Sequence, residues 1–318
     1  MRILIFKVLV VSLLVVGAGA AAAQDGTPLA FKFSPGDVLE YDIMLSGSGG
    51  LRAPDGELST MGLQGSARLE FTVVGVNADG SGRIQALLPR ANFQVNVAQE
   101  RARFSYENGL VRWYSNGQEQ TPPDADISQV PLLGKPLEFV ASPKGQILDV
   151  VMPEIGDLAA SQGLGGMQQM VPGFTAPDFK NMGEPIFPDH PVRVGETWRK
   201  TAYSTPFGPS IPVAVTQSRT LESIDDQFGV ALARISGYAE TRVTVNPTTI
   251  SPGEMDMTVS VPEVRQTVTS TEFFNTTEGK LVRGDYDLSF VTRVSMFAQE
   301  QSQEASIEAR LHSTVQAR

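Results

Sequence analysis

A two-residue periodicity of apolar side chains runs through this 318-residue chain and constrains its fold more than any other feature. In residues 39–45, the odd positions are apolar and the even positions are mostly polar. The same alternation recurs in residues 93–97, 255–261 and 307–311. It is typical of antiparallel strands that have one face on a core and the other in water. The sequence therefore predicts an all-β fold.

Turn residues separate the alternating segments. Asn77-Ala-Asp79-Gly80 lies between two apolar runs and predicts a hairpin turn, as do Asn108-Gly109 and Asn116-Gly117. The first of these turns resembles the middle of a calcium loop, but Gly75 stands where a ligand would be needed. Residues 47–65 are rich in Gly and Ser and predict a mobile loop.

A short internal echo indicates two related halves. Residues 33–39, Phe-Ser-Pro-Gly-Asp-Val-Leu, return as residues 192–198, Val-Arg-Val-Gly-Glu-Thr-Trp. Glu138-Phe139 with Gly145 returns as Glu272-Phe273 with Gly279, and the spacing from Phe to Gly is the same. An internal duplication of a β-rich unit explains both repeats.

The segment between the halves has a different composition. Apolar residues in its first part allow a short amphipathic helix, which glycines weaken, and a proline-rich stretch follows. We therefore predict an N-terminal β half over 24–152, a helix and Pro-rich connector over 153–189, and a C-terminal β half over 190–318. The two halves form either two similar bent antiparallel sheets packed face to face or one incomplete barrel.

The N-terminus has the features of an export signal. Arg2 and Lys7 precede the apolar run 8–16, and small residues end at Ala23, after which we predict cleavage. The mature protein is then periplasmic or secreted, with no membrane span. The chain has no cysteine, so no disulfide framework holds it together. Its net charge of −10 disfavours nucleic acid as a partner.

Residues that carry common catalytic chemistry are scarce. The chain has two histidines, His190 and His312, and neither has a histidine or cysteine neighbour at metal-ligand spacing. No G-x-S-x-G motif marks a serine nucleophile. The local carboxylate pairs, Asp124 with Asp126 and Asp225 with Asp226, are typical of turns. We predict no enzymatic activity, no metal and no cofactor.

Four residues are candidates for ligand binding. Met167 and Met170 lie in the connector, where flexible thioethers can line an adaptable apolar surface, although filling gaps in a core is their commoner use. Trp198 takes the place of Leu39 in the echo, which also suits a core position. Trp113 and Tyr114 are adjacent in a predicted strand, so their side chains point to opposite faces.

Three motifs of the chain resemble those of an exported bacterial β-rich family of unknown function. The first is F-x-x-G-D-x-x-x-Y, present as Phe33 to Tyr41. The second is P-V-x-x-G-D-x-W, present as Pro191 to Trp198 with Glu196 in place of Asp. The third is F-x-x-x-x-G-K, present as Phe274 to Lys280. The resemblance implies a β-rich fold over most of the mature chain and no particular activity.

Three functions remain open at this stage. The first is an exported, non-enzymatic binding module that holds an apolar, lipid-like or peptide-like ligand between sheet and connector. The second is a structural or interaction protein of the cell envelope, in which Thr-rich residues 264–271 pair with a partner by strand addition. The third is a hydrolase that uses two carboxylates brought together in space. The oligomeric state stays open as well.

Overall fold

The computed structural model describes the chain in eight stretches. They cover residues 26–52, 56–120, 136–151, 186–204, 213–227, 229–250, 257–298 and 301–318. Every regular element within these stretches is a β-strand, which confirms the predicted all-β class. The strands are β1 (Val38–Arg52), β2 (Leu58–Val76), β3 (Gly82–Val97), β4 (Glu100–Glu107), β5 (Leu110–Ser115), β6 (Gln118–Gln120), β7 (Leu137–Ala141), β8 (Ile147–Val151), β9 (Thr197–Ser204), β10 (Val213–Gln227), β11 (Val230–Ile250), β12 (Met257–Asn275), β13 (Lys280–Ala298) and β14 (Gln301–Ala317).

Within the described stretches, the strands form one antiparallel sheet of 14 strands that does not close on itself. Its order is β6-β5-β4-β3-β2-β1-β14-β13-β12-β11-β10-β9, and β7 attaches to β3 and carries β8. The first and last strands of the chain pair in the middle of the sheet, from Tyr41 opposite Ala317 to Arg52 opposite Ser306. The described strands thus form one continuous, unclosed sheet, as in the predicted incomplete barrel, and not two separate sheets packed face to face.

On the side opposite β2, strand β3 pairs with two different strands, and the change of partner falls near Pro89. Residues 90–97 pair with β4, whereas residues 82–86 pair with β7. Pro89 lies beside the shift in the β2–β3 register between Arg68 and Glu70. A proline lacks the N–H that a ladder needs, so it is tolerated at such an irregularity. The branch places the β7–β8 hairpin beside the start of β3.

The alternation sorts side chains onto two faces, which we call the inner and the outer face. The inner face carries the odd-numbered residues of β1, such as Tyr41 and Ile43, and the residues paired with them. Two hydrophobic clusters cover one end of it. One contains Tyr41, Phe71, Leu137, Phe139, Ile147 and Leu281, and the other contains Leu29, Phe31, Phe187, Trp198, Leu221 and Phe274.

The first part of the echo is a repeated backbone turn. Gly36 N–H donates to the carbonyl of Val73 at 2.8 Å, and Gly195 N–H donates to that of Leu221 at 2.7 Å. Both glycines have positive φ, 89° and 85°, which favours glycine because it has no Cβ. The turns before β1 and before β9 are therefore built alike. The internal duplication and the domain boundaries at 152 and 189 stay predictions.

The hairpin predictions at Asn108-Gly109 and Asn116-Gly117 agree with the structure. All four residues have positive φ, between 48° and 86°, as a two-residue type I′ turn requires. The Asn77 turn also forms, and Asp79 Oδ1 accepts both the N–H and the hydroxyl of Ser81. These two hydrogen bonds give Asp79 the role of a turn residue.

Two sequence-based predictions are wrong. Residues 47–65 are mostly strand: β1 runs to Arg52 and β2 begins at Leu58, because their glycines make room for neighbouring side chains on the inner face. Residues 264–271 lie in β12, which pairs with β11 on one side and β13 on the other. Their backbone groups are already used in the sheet, so this segment offers no edge for strand addition.

The predicted helix and most of the connector lie outside the described residues. The connector's end is described, and Ile186 and Phe187 are buried in the second hydrophobic cluster. Backbone N–H groups of both residues donate to the carbonyl of Lys144, at 2.7 and 3.1 Å. The chain therefore rejoins the sheet at the turn between β7 and β8.

Candidate ligand-binding face

Half-buried apolar side chains lie on the inner face at the margin of the first hydrophobic cluster. The strand pairings place one row of residues side by side across six strands, and its members are Val268, Leu288, Leu311, Gly47, Leu63 and Val95. Leu63 is buried, whereas Leu288, Leu311 and Val95 are only half-buried. The row thus presents apolar surface that the described residues cover in part.

Aromatic rings extend this surface toward the β6 edge of the sheet. Phe93, Phe104 and Trp113 face each other across β3, β4 and β5, and all three are half-buried. The rings of Phe104 and Trp113 meet edge to face, with centroids 6.2 Å apart. Such pairs contribute about 0.5–1.5 kcal/mol beyond their buried area, which holds the rings in place.

Glycines in β1 and β2 shape the floor of this face. A Cβ at Gly65 would lie 2.2 Å from the ring of Phe93, and a Cβ at Gly47 would lie 2.3 Å from Leu311. Neither distance is possible for real atoms, so only glycine lets these side chains lie flat across the neighbouring strand. We call the part formed by Phe93, Val95, Phe104, Leu288 and Leu311 the apolar inner face.

A buried ion pair lies on the same face, nearer the β9 edge. Arg219 of β10 donates two hydrogen bonds to the carboxylate of Glu272 of β12, at 2.7 and 3.1 Å. Both side chains are 3% exposed. The guanidinium also donates to Gln217 Oε1 at 3.3 Å. The bidentate geometry satisfies both charges, as a buried pair requires.

Two buried hydroxyls lie next to this ion pair. Ser270 and Tyr286 are directly opposite each other on β12 and β13, and the oxygen atoms of both hydroxyls are buried. Burial, followed by the negative charge of Glu272, raises the pKa of Tyr286 well above its ordinary value, so its phenol is protonated. These groups are enclosed and make no contact with solvent, so they do not form an accessible polar site.

The chemistry available on this face is binding by apolar contact. Arg219 and Glu272 neutralise each other and are enclosed, so neither is positioned to attack or protonate a ligand. Among the described residues, no group of three or more His, Cys, Asp or Glu is placed to hold a metal ion. An apolar ligand would gain about 25 cal/mol for each Å² of apolar surface removed from water.

The structure separates the four predicted ligand-binding residues. Trp113 lies on the apolar side of β5 beside Phe104. Trp198 is buried at 8% exposure, and its indole N–H donates to the carbonyl of Ile186 at 2.9 Å, which agrees with a core position. Met167 and Met170 lie outside the described residues. Whether any of the four contacts a ligand stays a prediction.

The histidines and the local acidic pairs are exposed or lie in turns. His190 Nε2 is 2.7 Å from Glu196 Oε1, and His312 Nδ1 is 2.8 Å from Asp287 Oδ1, both on the surface. Asp226 Oδ1 accepts the N–H of Gly229 in the β10–β11 turn, as expected of a turn residue. Asp124 and Asp126 are outside the described residues.

Sequence reasoning missed the ion pair, although a signal was present. Arg219 shares its parity with the buried Leu221, and Glu272 shares its parity with the buried Phe274. A charged residue on the apolar parity of a strand needs a partner of opposite charge. The echo obscured this signal, because it aligned Glu272 with Glu138, which is exposed and bonded to Gln85.

Comparison with known proteins does not assign a family. No protein-family model matches the chain, and no curated protein matches it. Among solved structures, Pseudomonas aeruginosa OpdQ is 6% identical, covers 88% of this chain and 99% of its own, and has a TM-score of 0.22. Pseudomonas aeruginosa OccK7 (OpdD) is also 6% identical, with coverages of 89% and 99% and a TM-score of 0.23. The outer membrane protein opdK from the same organism reaches 0.15 at 6% identity, with coverages of 89% and 99%. TM-scores this low carry no argument about this chain's topology or function.

Within the stretches that the structure describes, no helix is long and apolar enough to cross a membrane.

Proposed function

We propose that this chain is an exported, non-enzymatic binding protein that holds an apolar ligand on the apolar inner face. The observation that carries the proposal is the row of half-buried apolar side chains, Leu288, Leu311 and Val95, at the margin of the packed core. Contiguous apolar surface of this kind in a water-facing protein marks an interaction site. The ligand is lipid-like or peptide-like, and the protein acts in the periplasm or after secretion.

The character of the outer face supports an aqueous location. Charged side chains project from it in the middle of the sheet, among them Asp42, Arg68, Asp287 and Arg310. With the outer face in water, the inner face is the apolar surface available to a ligand.

The proposed function is tested by a matched pair of substitutions on β13. Leu288 faces inward and Ser289 faces outward, so Leu288→Asn places an amide on the apolar inner face, and Ser289→Asn places the same amide in water. Titration with the apolar fluorophore N-phenylnaphthylamine measures binding. We expect Leu288→Asn to weaken binding about tenfold, since burying a leucine contributes about 1.5–3 kcal/mol.

Two controls distinguish a loss of binding from a loss of folding. Circular dichroism in the β region, recorded for both variants, checks that the sheet is intact. We expect Ser289→Asn to bind the fluorophore as the unchanged protein does. Equal affinity in both variants, or no fluorophore binding by the unchanged protein, would rule out the apolar inner face as the site.

A further inference from the structure

A cleft lies on the outer face, where β12, β13, β14 and β1 run side by side. Its volume is about 530 Å³. Its outer-face lining includes Ser46, Ser48, Thr269, Asp287, Arg310 and His312, and Leu288 and Leu311, whose side chains face inward, also border it. Ser46, Gly47 and Ser48 of β1 line this cleft, and none of them has a bulky side chain that would fill it. The lining is rich in hydroxyls and contains one carboxylate, one guanidinium and one imidazole.

The charged groups of the cleft are held in a defined arrangement. Asp287 Oδ1 lies 2.8 Å from His312 Nδ1, and His312 Nε2 lies 3.3 Å from Thr314 Oγ1. Asp287 nevertheless leaves much of its carboxylate in water, with its side chain 69% exposed. A carboxylate accepts up to about four hydrogen bonds, so oxygens of Asp287 stay available to a ligand.

An exposed aromatic ring continues the row beyond the cleft. Tyr238 of β11 is opposite Thr269, which is opposite Asp287, so these side chains share the outer face. Tyr238 is 46% exposed, and its hydroxyl donates to Glu240 Oε2 at 2.9 Å, which fixes the ring on the sheet. A tyrosine held in this way offers a flat apolar surface with a polar rim.

We propose that this outer row, Tyr238 with the cleft around Asp287 and His312, binds a neutral carbohydrate chain. Hydroxyl groups of a sugar both donate and accept, and they match a lining of hydroxyls, carboxylate, imidazole and guanidinium. The apolar C–H face of a sugar ring packs on an exposed tyrosine. From β11 to β1 the row crosses four inter-strand steps, roughly 19 Å, which suits several linked sugar units.

The distribution of charge favours a neutral ligand. Asp287 and Arg310 bring opposite charges to the same cleft, and Glu240 stands beside Arg242 and Arg265, with Oε1 2.8 and 3.2 Å from their Nε atoms. A polyanion or a polycation would meet repulsion as well as attraction along the row. The hydroxyl groups of a neutral sugar chain carry no charge, so they meet no such repulsion. They can still form hydrogen bonds with the donors and acceptors of the row.

Calorimetric titration with linear neutral hexasaccharides tests the site. The probes are cellohexaose, chitohexaose and maltohexaose, with polygalacturonate as the anionic comparison. We expect at least one neutral probe to bind and polygalacturonate not to bind. Tyr238→Ala and Asp287→Ala should each weaken binding by about tenfold or more, since each removes a direct contact with the sugar.

The control variant is Gln316→Ala, which changes an exposed outer-face residue of β14 that lies outside the cleft. It should bind with unchanged affinity. All three substitutions are on the surface, so thermal unfolding should change little and confirm that the sheet persists. Failure of every neutral hexasaccharide to bind the unchanged protein would overturn the proposal, and so would undiminished affinity in both site variants or tighter binding of polygalacturonate.

Discussion

At the scale of single residues, Arg219 and Glu272 form an ion pair that is buried on the inner face. Its two hydrogen bonds cross β11, from β10 to β12, at the position where Gly237 has no side chain. A Cβ at Gly237 would lie 2.3 Å from Ser270 Oγ, so glycine is required there as well. The pair therefore fixes how three neighbouring strands lie relative to each other.

Removing one partner of this pair should be costly, and removing both should cost much less. Arg219→Met leaves a buried carboxylate without its cation and should lower the free energy of unfolding by about 3–5 kcal/mol. The double variant Arg219→Met with Glu272→Leu buries no charge, so we expect it to recover most of that loss. Urea unfolding of the single and double variants measures both values. A single variant that loses less than about 1 kcal/mol would show that the pair is not needed.

A second residue-scale prediction concerns Glu196 in the turn before β9. Its Oε2 accepts the N–H of Arg193 at 3.0 Å, and its Oε1 is 2.7 Å from His190 Nε2. The Arg193 N–H first, and His190 second, lower the pKa of Glu196 below its ordinary value. A carboxyl with a lowered folded-state pKa stabilises the fold above its unfolded-state pKa, and this stability is lost as the pH falls through the folded-state pKa.

Glutamine has no ionisable side chain, so the variant Glu196→Gln lacks the pH-dependent stability that the Glu196 carboxylate provides. We expect it to be less stable than the unchanged protein at neutral pH and to differ progressively less as the pH is lowered through the acidic range. Urea unfolding at a series of pH values checks the trend. A difference in stability that stays constant with pH would mean that the charge of Glu196 does not contribute.

At the scale of elements, β2 shows how glycine position decides structure. Gly65 faces inward under the ring of Phe93, whereas Gly62 faces outward and a Cβ there would come no closer than 3.6 Å to Asn96. The two glycines lie in the same strand, and neither has a positive φ. The space on each face, and not the backbone conformation, therefore decides whether a side chain fits at each of the two positions.

Alanine substitutions at these two positions form a matched test. We expect Gly65→Ala to lower the free energy of unfolding by about 1–3 kcal/mol, because the new methyl group displaces the ring of Phe93. Gly62→Ala should change stability by no more than about 0.5 kcal/mol. Thermal and urea unfolding compare them. Equal stabilities would contradict the close packing of Phe93 on Gly65.

Much of the element structure follows from sequence, and the exceptions share a physical cause. Alternation identified β1 and β14, and the Asn-Gly pairs identified the β4–β5 and β5–β6 turns, because both signals are local. Residues 47–65 were misassigned because glycine and serine lower strand propensity. Here, however, Gly47 and Gly65 are held in the sheet by Leu311 and Phe93, which are distant in sequence. The ion pair is similarly non-local, since Arg219 and Glu272 are 53 positions apart.

At the scale of the whole molecule, the pairing of β1 with β14 joins the two ends of the chain into one sheet. Because this seam lies in the middle of the strand order, the apolar inner face spans residues from both predicted halves, such as Val95 and Leu288. Neither half presents the face alone. Sequence alternation predicted which residues face inward, but it left open whether these two groups of strands form separate sheets or share one continuous surface.

The central claim is that this shared surface holds an apolar ligand, and native mass spectrometry of the protein purified from its own host tests it most directly. We predict that the protein carries a non-covalent adduct that organic extraction releases as an apolar molecule. The same preparation of Leu288→Asn should carry much less of it, and Ser289→Asn should carry the normal amount. A bare mass for the unchanged protein, or an adduct that Leu288→Asn retains in full, would contradict the account.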